Sequence, residues 1–369
     1  MSWRTGIAVL SFFALIGVIQ YPRVAETIRE FTTPGTSIAA PAPEIAAPSL
    51  LTETPTTEID NSLPVAVSDS DLTLEQMKLL VLDHINTDRE VHGLEPVVLG
   101  DNQAAQMHAD DMLTNRYLGH WWTDGRKPYM VYSETGGSSY VSENAARTGF
   151  SEAEYEELCT ASNVRCEKVD PVADIQRLHN AMVYDDAESD WRHRDNILMP
   201  GHRKVNIGIA YNDNFLSLVQ HFEGGDVAAP RPPAFDASGT ELRIKADLVD
   251  PDIAIFPTIQ VHYEPAPEPQ TIEDIEEFKT YCVGGGFTDE CGAPLVQIIP
   301  PPQPGSRYIN LPDNMIVAKA WVISGGDIEV VADLGEFASK AGVYTTSMFS
   351  DAGEGRMDHL ILQLSTVKE

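Results

Sequence analysis

Positive charge is scarce in this sequence: 25 lysines and arginines stand against 56 aspartates and glutamates, a formal net charge of -31 over 369 residues. That imbalance opposes nucleic acid or anionic lipid headgroups as partners, because either would add like-charge repulsion. Cysteine is sparse too. The four fall in two close pairs, Cys159 with Cys166 and Cys282 with Cys291, inside loop-like "CTASNVRC" and "CVGGGFTDEC". Neither pair is a C-x-x-C, which removes zinc ribbons and thioredoxin-like redox sites. Two local disulfides are the leading assignment among the connectivities that such a set allows, with reduced core thiols as the alternative. No G-x-S-x-G and no H-E-x-x-H occurs, so neither a nucleophile elbow nor a zinc-protease helix is present. There is no internal repeat and no heptad pattern.

Long apolar runs are also lacking. The run that follows Arg4, Gly6 to Ile19, has 14 residues. This matches a signal-peptide core and falls short of the roughly 20 residues of a straight membrane span, although Trp3 and Tyr21 at the two interfaces would lengthen it. No clean small-x-small cleavage site follows. Residues 1–31 therefore read as an uncleaved anchor with its N-terminus inside, and a cleaved export signal is the alternative. Residues 32–70, rich in Pro, Ala and Thr, read as a semi-extended linker.

What remains is too long for one typical core and divides into two regions. The first, residues 71–225, opens with "TLEQ" at Thr73, a capping box, followed by Leu74, Met77, Val81 and Ile85 on one helical face until Gly93. A second helix starts near Asp101 or Asn102, with His108 and Met112 on its apolar side and Gly119 as its stop. A third covers roughly Val172 to Tyr184. Val205–Tyr211 and Phe215–Phe222 alternate around "NDN", the signature of a strand hairpin. Helices packed on an antiparallel sheet make this an α+β arrangement. After a proline-rich joint at Asp226–Ala237, residues 226–369 carry short β-rich runs with one helix-like insertion, "TIEDIEEFKTY", and predict a small β-sandwich.

The stretch "DWRHRDNILMPGHRKVNIGIAY" holds two His-Arg pairs, His193 with Arg194 and His202 with Arg203. Together with "AAQMHADDM", "YLGHWWTDGRKP", "SENAA", "MVYDD" and "VNIGIAY...LSLVQHF", in this order between Leu72 and Gly224, it resembles the CAP superfamily, which includes cysteine-rich secretory proteins, antigen 5 and pathogenesis-related proteins of group 1. The resemblance implies an α-β-α sandwich and a cleft lined by two histidines and two acids. Residue by residue, these fall on His120 in "LGHWW", Glu143 in "SENAA", His193 in "HRDNIL" and Asp185 in "MVYDD", where Asp186 and Glu188 stand near enough to replace the last. His202 lacks the following Asn-Ile-Leu and reads as a decoy.

Two imidazoles and one or two carboxylates meeting in a cleft can hold zinc or another divalent cation. They can equally form a hydrogen-bond cluster that fixes loops against each other. His108 reads as a satisfied core histidine, and Trp121, Trp122 and Tyr129 as core packing, with the lining of a ligand groove as the alternative. The resemblance implies binding of an extracellular ligand of lipid, glycan or protein class, and the N-terminal run adds an extracytoplasmic place at the membrane. The alternatives are a hydrolase, with His120 or His193 as base, Glu143 as partner and a metal or Ser142 as the second actor, and a surface scaffold working through the C-terminal region.

Overall fold

The computed structural model describes residues 14–17, 72–150, 152–161, 168–250, 252–278, 280–284, 291–351 and 357–369. The linker and all but four residues of the expected anchor or signal lie outside these, as does Cys166. Among the described residues no helix is long and apolar enough to cross a membrane.

Helix α1 (Leu74–Val91) starts at the capping box: Thr73 Oγ1 accepts from the Gln76 N–H, and Gln76 Oε1 accepts from the Thr73 N–H at 2.8 Å. Its buried face is Met77, Val81 and Ile85, each worth roughly 1.5–3 kcal/mol when removed from water. Leu74, expected on that face, is largely exposed at the helix entrance. Helix α2 (Ala104–Asn115) ends earlier than expected, with Arg116 in the left-handed region, φ 53°. Gly119 is not its stop. A Cβ there would lie 2.4 Å from Ile275 Cγ2, so glycine is needed for a close approach from the C-terminal region. Helices α3 (Pro128–Glu134), α4 (Glu152–Tyr155), α5 (Pro171–Tyr184) and α6 (Arg192–Ile197) follow.

The first sheet has the order β1-β3-β5-β4-β2: β1 (Ala14–Gly17), β2 (Val98–Leu99), β3 (Val141–Gly149), β4 (Lys204–Asn212) and β5 (Phe215–Glu223). β4 and β5 form the expected hairpin. Asn212 Oδ1 closes its turn by accepting from the N–H groups of Asn214 and Phe215 at 2.9 and 3.0 Å. The pleat sorts β5 into two faces. Leu216, Leu218 and Phe222 join the α1 and α5 cluster with Met77, Val81, Leu178 and Met182. Ser217, Val219 and His221 face α2, which lies so close that a Cβ on Gly208 of β4 would meet the Ala105 carbonyl oxygen at 1.9 Å.

From the joint onward, β6 (Val227–Ala228), β7 (Ala234–Phe235), β8 (Glu241–Leu248), β9 (Ile259–Glu264), β10 (Val296–Ile299), β11 (Met315–Val317), β12 (Ala320–Ser324), β13 (Asp327–Asp333), β14 (Gly342–Asp351) and β15 (Met357–Lys368) form two sheets, the first two of these strands lying within the joint itself. Their orders are β11-β10-β9-β14-β15 and β12-β13-β8-β6, with β7 paired to β8. The helix-like insertion is α7 (Ile272–Glu277). The architecture is thus an α-β-α sandwich with an added β-rich region. The hydrophobic core is continuous between them: Met112, Tyr129 and Val131 belong to one cluster with Val261, Ile298, Met348 and Leu364. The Ser365 N–H donates to Ser133 Oγ at 2.8 Å, tying β15 to α3. Cys282 is bonded to Cys291, as the spacing favoured, and Cys159 is also disulfide-bonded.

Candidate functional site

The antiparallel register places Glu143 of β3 directly opposite His221 of β5, and the pleat directs both toward α2. There His108, on the buried side of α2, completes a group that local sequence separates by 35 and 78 residues from the acid. Glu143 Oε2 accepts from His108 Nδ1 at 2.7 Å and from His221 Nε2 at 2.5 Å, while Oε1 accepts from His120 Nδ1 at 2.7 Å. All four side chains are 0% exposed. Burial alone would raise the Glu143 pKa, but His108 and the three imidazole hydrogen bonds outweigh it and hold the carboxyl well below its ordinary value. Glu143 is therefore an anion. Burial lowers the His120 pKa, and the carboxylate beside it offsets only part of that effect.

His193 sits on α6 and meets a different acid. Its Nδ1 donates to Asp186 Oδ1 at 2.5 Å, and its backbone N–H to Asp186 Oδ2 at 2.8 Å. Asp185, the acid expected at this position, caps the end of α5 through its backbone N–H, and its side chain is exposed. The helix continues to Tyr184, so the chain turns inward one residue later than the expectation required, and Asp186 takes the inward position. His193 is close enough for its charge to act on His120. Asn144, next to Glu143, donates to the His193 carbonyl at 3.2 Å. The resulting pattern is two carboxylate–imidazole pairs, Glu143 with His120 and Asp186 with His193. In each pair Nδ1 is engaged and Nε2 is buried without a hydrogen-bond partner among the described residues.

The second His-Arg pair has a structural role. His202 is bonded through Nε2 to Asn196 Oδ1 at 3.0 Å and through Nδ1 to the Tyr140 hydroxyl at 3.1 Å, and it stacks on Phe222. Burial, then Arg89, push its pKa down to about 3. Asn196, of "HRDNIL", also accepts from Ser142 Oγ at 2.7 Å and donates to Asn144 Oδ1 at 2.8 Å. That Asn is the buried amide joining α6 to β3. Trp121 and Trp122 are buried in the core, with Trp122 stacked on His108 at 5.0 Å.

The residues expected to line a cleft are covered by the C-terminal region. Tyr281, also 0% exposed, accepts the Glu143 backbone N–H on its hydroxyl at 3.1 Å and sets its ring 5.1 Å from that of His120. The segment carrying it is fastened to the loop that carries His120. The Gln270 N–H donates to the Thr123 carbonyl at 3.0 Å, Trp121 Nε1 to the Thr280 carbonyl at 3.1 Å, and Lys127 Nζ to the Cys282 carbonyl at 2.9 Å. Lys127 also pairs with Glu264 Oε1 at 2.5 Å, and Tyr129 donates to Glu264 Oε2 at 2.5 Å.

Sequence reasoning missed Tyr281, His221 and the part played by His108. His108 is buried in the core, as expected, but it is bonded only through Nδ1, to the acid of the site, and its Nε2 has no hydrogen-bond partner among the described residues. The available signal for His221 was an ionisable residue at an inward-facing position of a central strand. Tyr281 left none, because it comes from the other region of the chain.

The profile of the CAP family, described as the cysteine-rich secretory protein family, matches residues 82–222. No curated protein gives a significant match. Among solved structures, an extracellular protein containing an SCP domain from Bacillus anthracis str. Ames is 19% identical with a TM-score of 0.28; the match covers 42% of this chain and 45% of that one. The CAP domain of Enterococcal PrgA is 13% identical with a TM-score of 0.24, covering 42% of this chain and 64% of that one. The chain thus spans less than two thirds of either structure. With its six sequence stretches in family order, its α-β-α layers and the profile match, this chain carries a CAP domain over residues 82–222.

Proposed function

We propose that this chain is an extracytoplasmic binding protein whose CAP domain holds a divalent cation, zinc first, on Nε2 of His120 and Nε2 of His193. One observation carries the reading: each of these rings is oriented by a carboxylate on Nδ1 and leaves Nε2 buried and unpartnered. Carboxylate-oriented imidazoles of this kind are the usual outer-shell arrangement around zinc. The acids thus orient the rings, with Glu143 and Asp186 in that role and Asp185 outside it. A bound cation would supply positive charge and fasten the His120 loop to α6.

Ligand recognition then falls to the outer surface, since the cluster is sealed, and an extracellular lipid, glycan or protein is the ligand class proposed. Ser142 is poorly placed as a nucleophile, because it is buried and its hydroxyl is committed to Asn196. That favours binding over hydrolysis.

The test is metal analysis of the full-length chain, purified in detergent from zinc-supplemented medium and passed through gel filtration. At least one equivalent of zinc is expected, falling by one in His120→Ala/His193→Ala. Zinc-free wild-type protein would defeat the reading. Peptide, ester and glycan panels test the hydrolase alternative: turnover lost in a folded Glu143→Gln variant would establish it instead. Fractionation with and without detergent tests the expected N-terminal anchor, against which stands the place of Ala14–Gly17 as strand β1 of the first sheet.

A further inference from the structure

We propose that His108 Nδ1, His221 Nε2 and Glu143 Oε2 form a second divalent-cation position, of the zinc class, on the α2 side of the first sheet. These three atoms all lie within 4.8 Å of one another, on side chains that are completely buried. Two imidazole nitrogens and one carboxylate oxygen are a donor set that suits a borderline ion such as Zn²⁺ or Co²⁺. The position uses different ligand atoms from the His120 and His193 pair and shares only the Glu143 side chain with it. The two claims therefore stand or fall separately.

Charge is the second argument. The Glu143 carboxyl is withdrawn from water, and among the described residues every ion-pair partner it has is an imidazole. A buried carboxylate with no lysine or arginine among its described partners is costly to hold in a water-free site. A cation bound between His108, His221 and Oε2 would replace the two N–H···Oε2 hydrogen bonds that converge there, with the ring protons then on His108 Nε2 and His221 Nδ1, neither of which has a hydrogen-bond partner among the described residues. The frame is preorganised as well. Glu143 and His221 are register partners on adjacent strands, and the missing side chain at Gly208 lets α2 bring His108 down onto them.

The experiment titrates Co²⁺ and then Zn²⁺ into the full-length, metal-stripped chain, reading stoichiometry by elemental analysis and Co²⁺ coordination by its visible absorption. Wild type is expected to take up two equivalents, His120→Ala/His193→Ala to retain one, and His108→Gln/His221→Gln to retain one, with circular dichroism reporting that each variant is folded. One equivalent in wild type, abolished by His193→Ala, overturns the second position and leaves the reading of the previous section intact. No uptake by wild type overturns both. Should a double variant fail to fold, the single variants His193→Ala and His221→Gln assign a lone equivalent to one position or the other, and one retained in His193→Ala but lost in His221→Gln supports the second position.

Discussion

On the face of the first sheet covered by α1 and α5, Leu216, Leu218 and Phe222 of β5 meet Met77, Val81 and Met182, and nearly every contact is apolar. On the opposite face the alternate residues of the same strand include Ser217 and His221, and they meet α2, Glu143 and the imidazole of His108. One face gains its stability from burying hydrocarbon. The other spends part of that gain on holding a carboxylate away from water. Even the polar group placed on the apolar side obeys its surroundings: His202, stacked on Phe222, has both ring nitrogens satisfied by uncharged partners. Burial depresses imidazole basicity at both His120 and His202; at His120 the carboxylate on Nδ1 offsets part of that effect, and Nε2 has no hydrogen-bond partner among the described residues.

The largest effect expected is at the seal over the polar face. Lys127→Met leaves the buried Glu264 carboxylate without its cation and should destabilise the chain by about 3–5 kcal/mol in denaturant titration. Adding Glu264→Gln should restore much of the loss; no restoration would show that packing, not charge, is responsible. Acid comes next. Because the folded-state pKa of His202 lies below the unfolded value of 6.5, its contribution is complete above that pH and is lost as pH falls toward about 3. The loss is on the order of 5 kcal/mol at the acid end. A His202→Gln variant should show a shallower fall in stability over that window, and an unchanged slope would contradict the neutral-core reading.

On the apolar face, Leu218→Ala should cost about 3 kcal/mol, from lost transfer energy and the cavity left behind. Calorimetry showing under 1 kcal/mol would mean that this face is less tightly packed than described. Tyr281→Phe removes the acceptor of the Glu143 N–H and should cost about 1–2 kcal/mol, with faster amide exchange at Glu143. The smallest change is Thr73→Ala, about 1 kcal/mol from loss of the α1 cap.

Much of the fold is legible along the chain. The capping box at Thr73, the hairpin around Asp213 and the disulfide between Cys282 and Cys291 each depend on residues within a few positions of one another. His120, Glu143 and His193 were legible as candidates, and the structure bonds the first two directly and brings the third within electrostatic reach. Asp186 in place of Asp185 was a matter of a single residue at a helix end, where local pattern is weakest.

The amino-acid order by itself determined the acidic character of the chain, its helix starts, the alternation that gives each strand two faces and the presence of an Asn-Ile-Leu after one histidine but not the other. Those are short-range properties, set by local sterics, capping and side-chain chemistry. Only the tertiary structure decided that Glu143 has three imidazole partners, that His221 lies across from it and that Tyr281 covers them. Strand register and the docking of one region on another depend on contacts between distant residues. Their energies exist only once the chain has closed on itself.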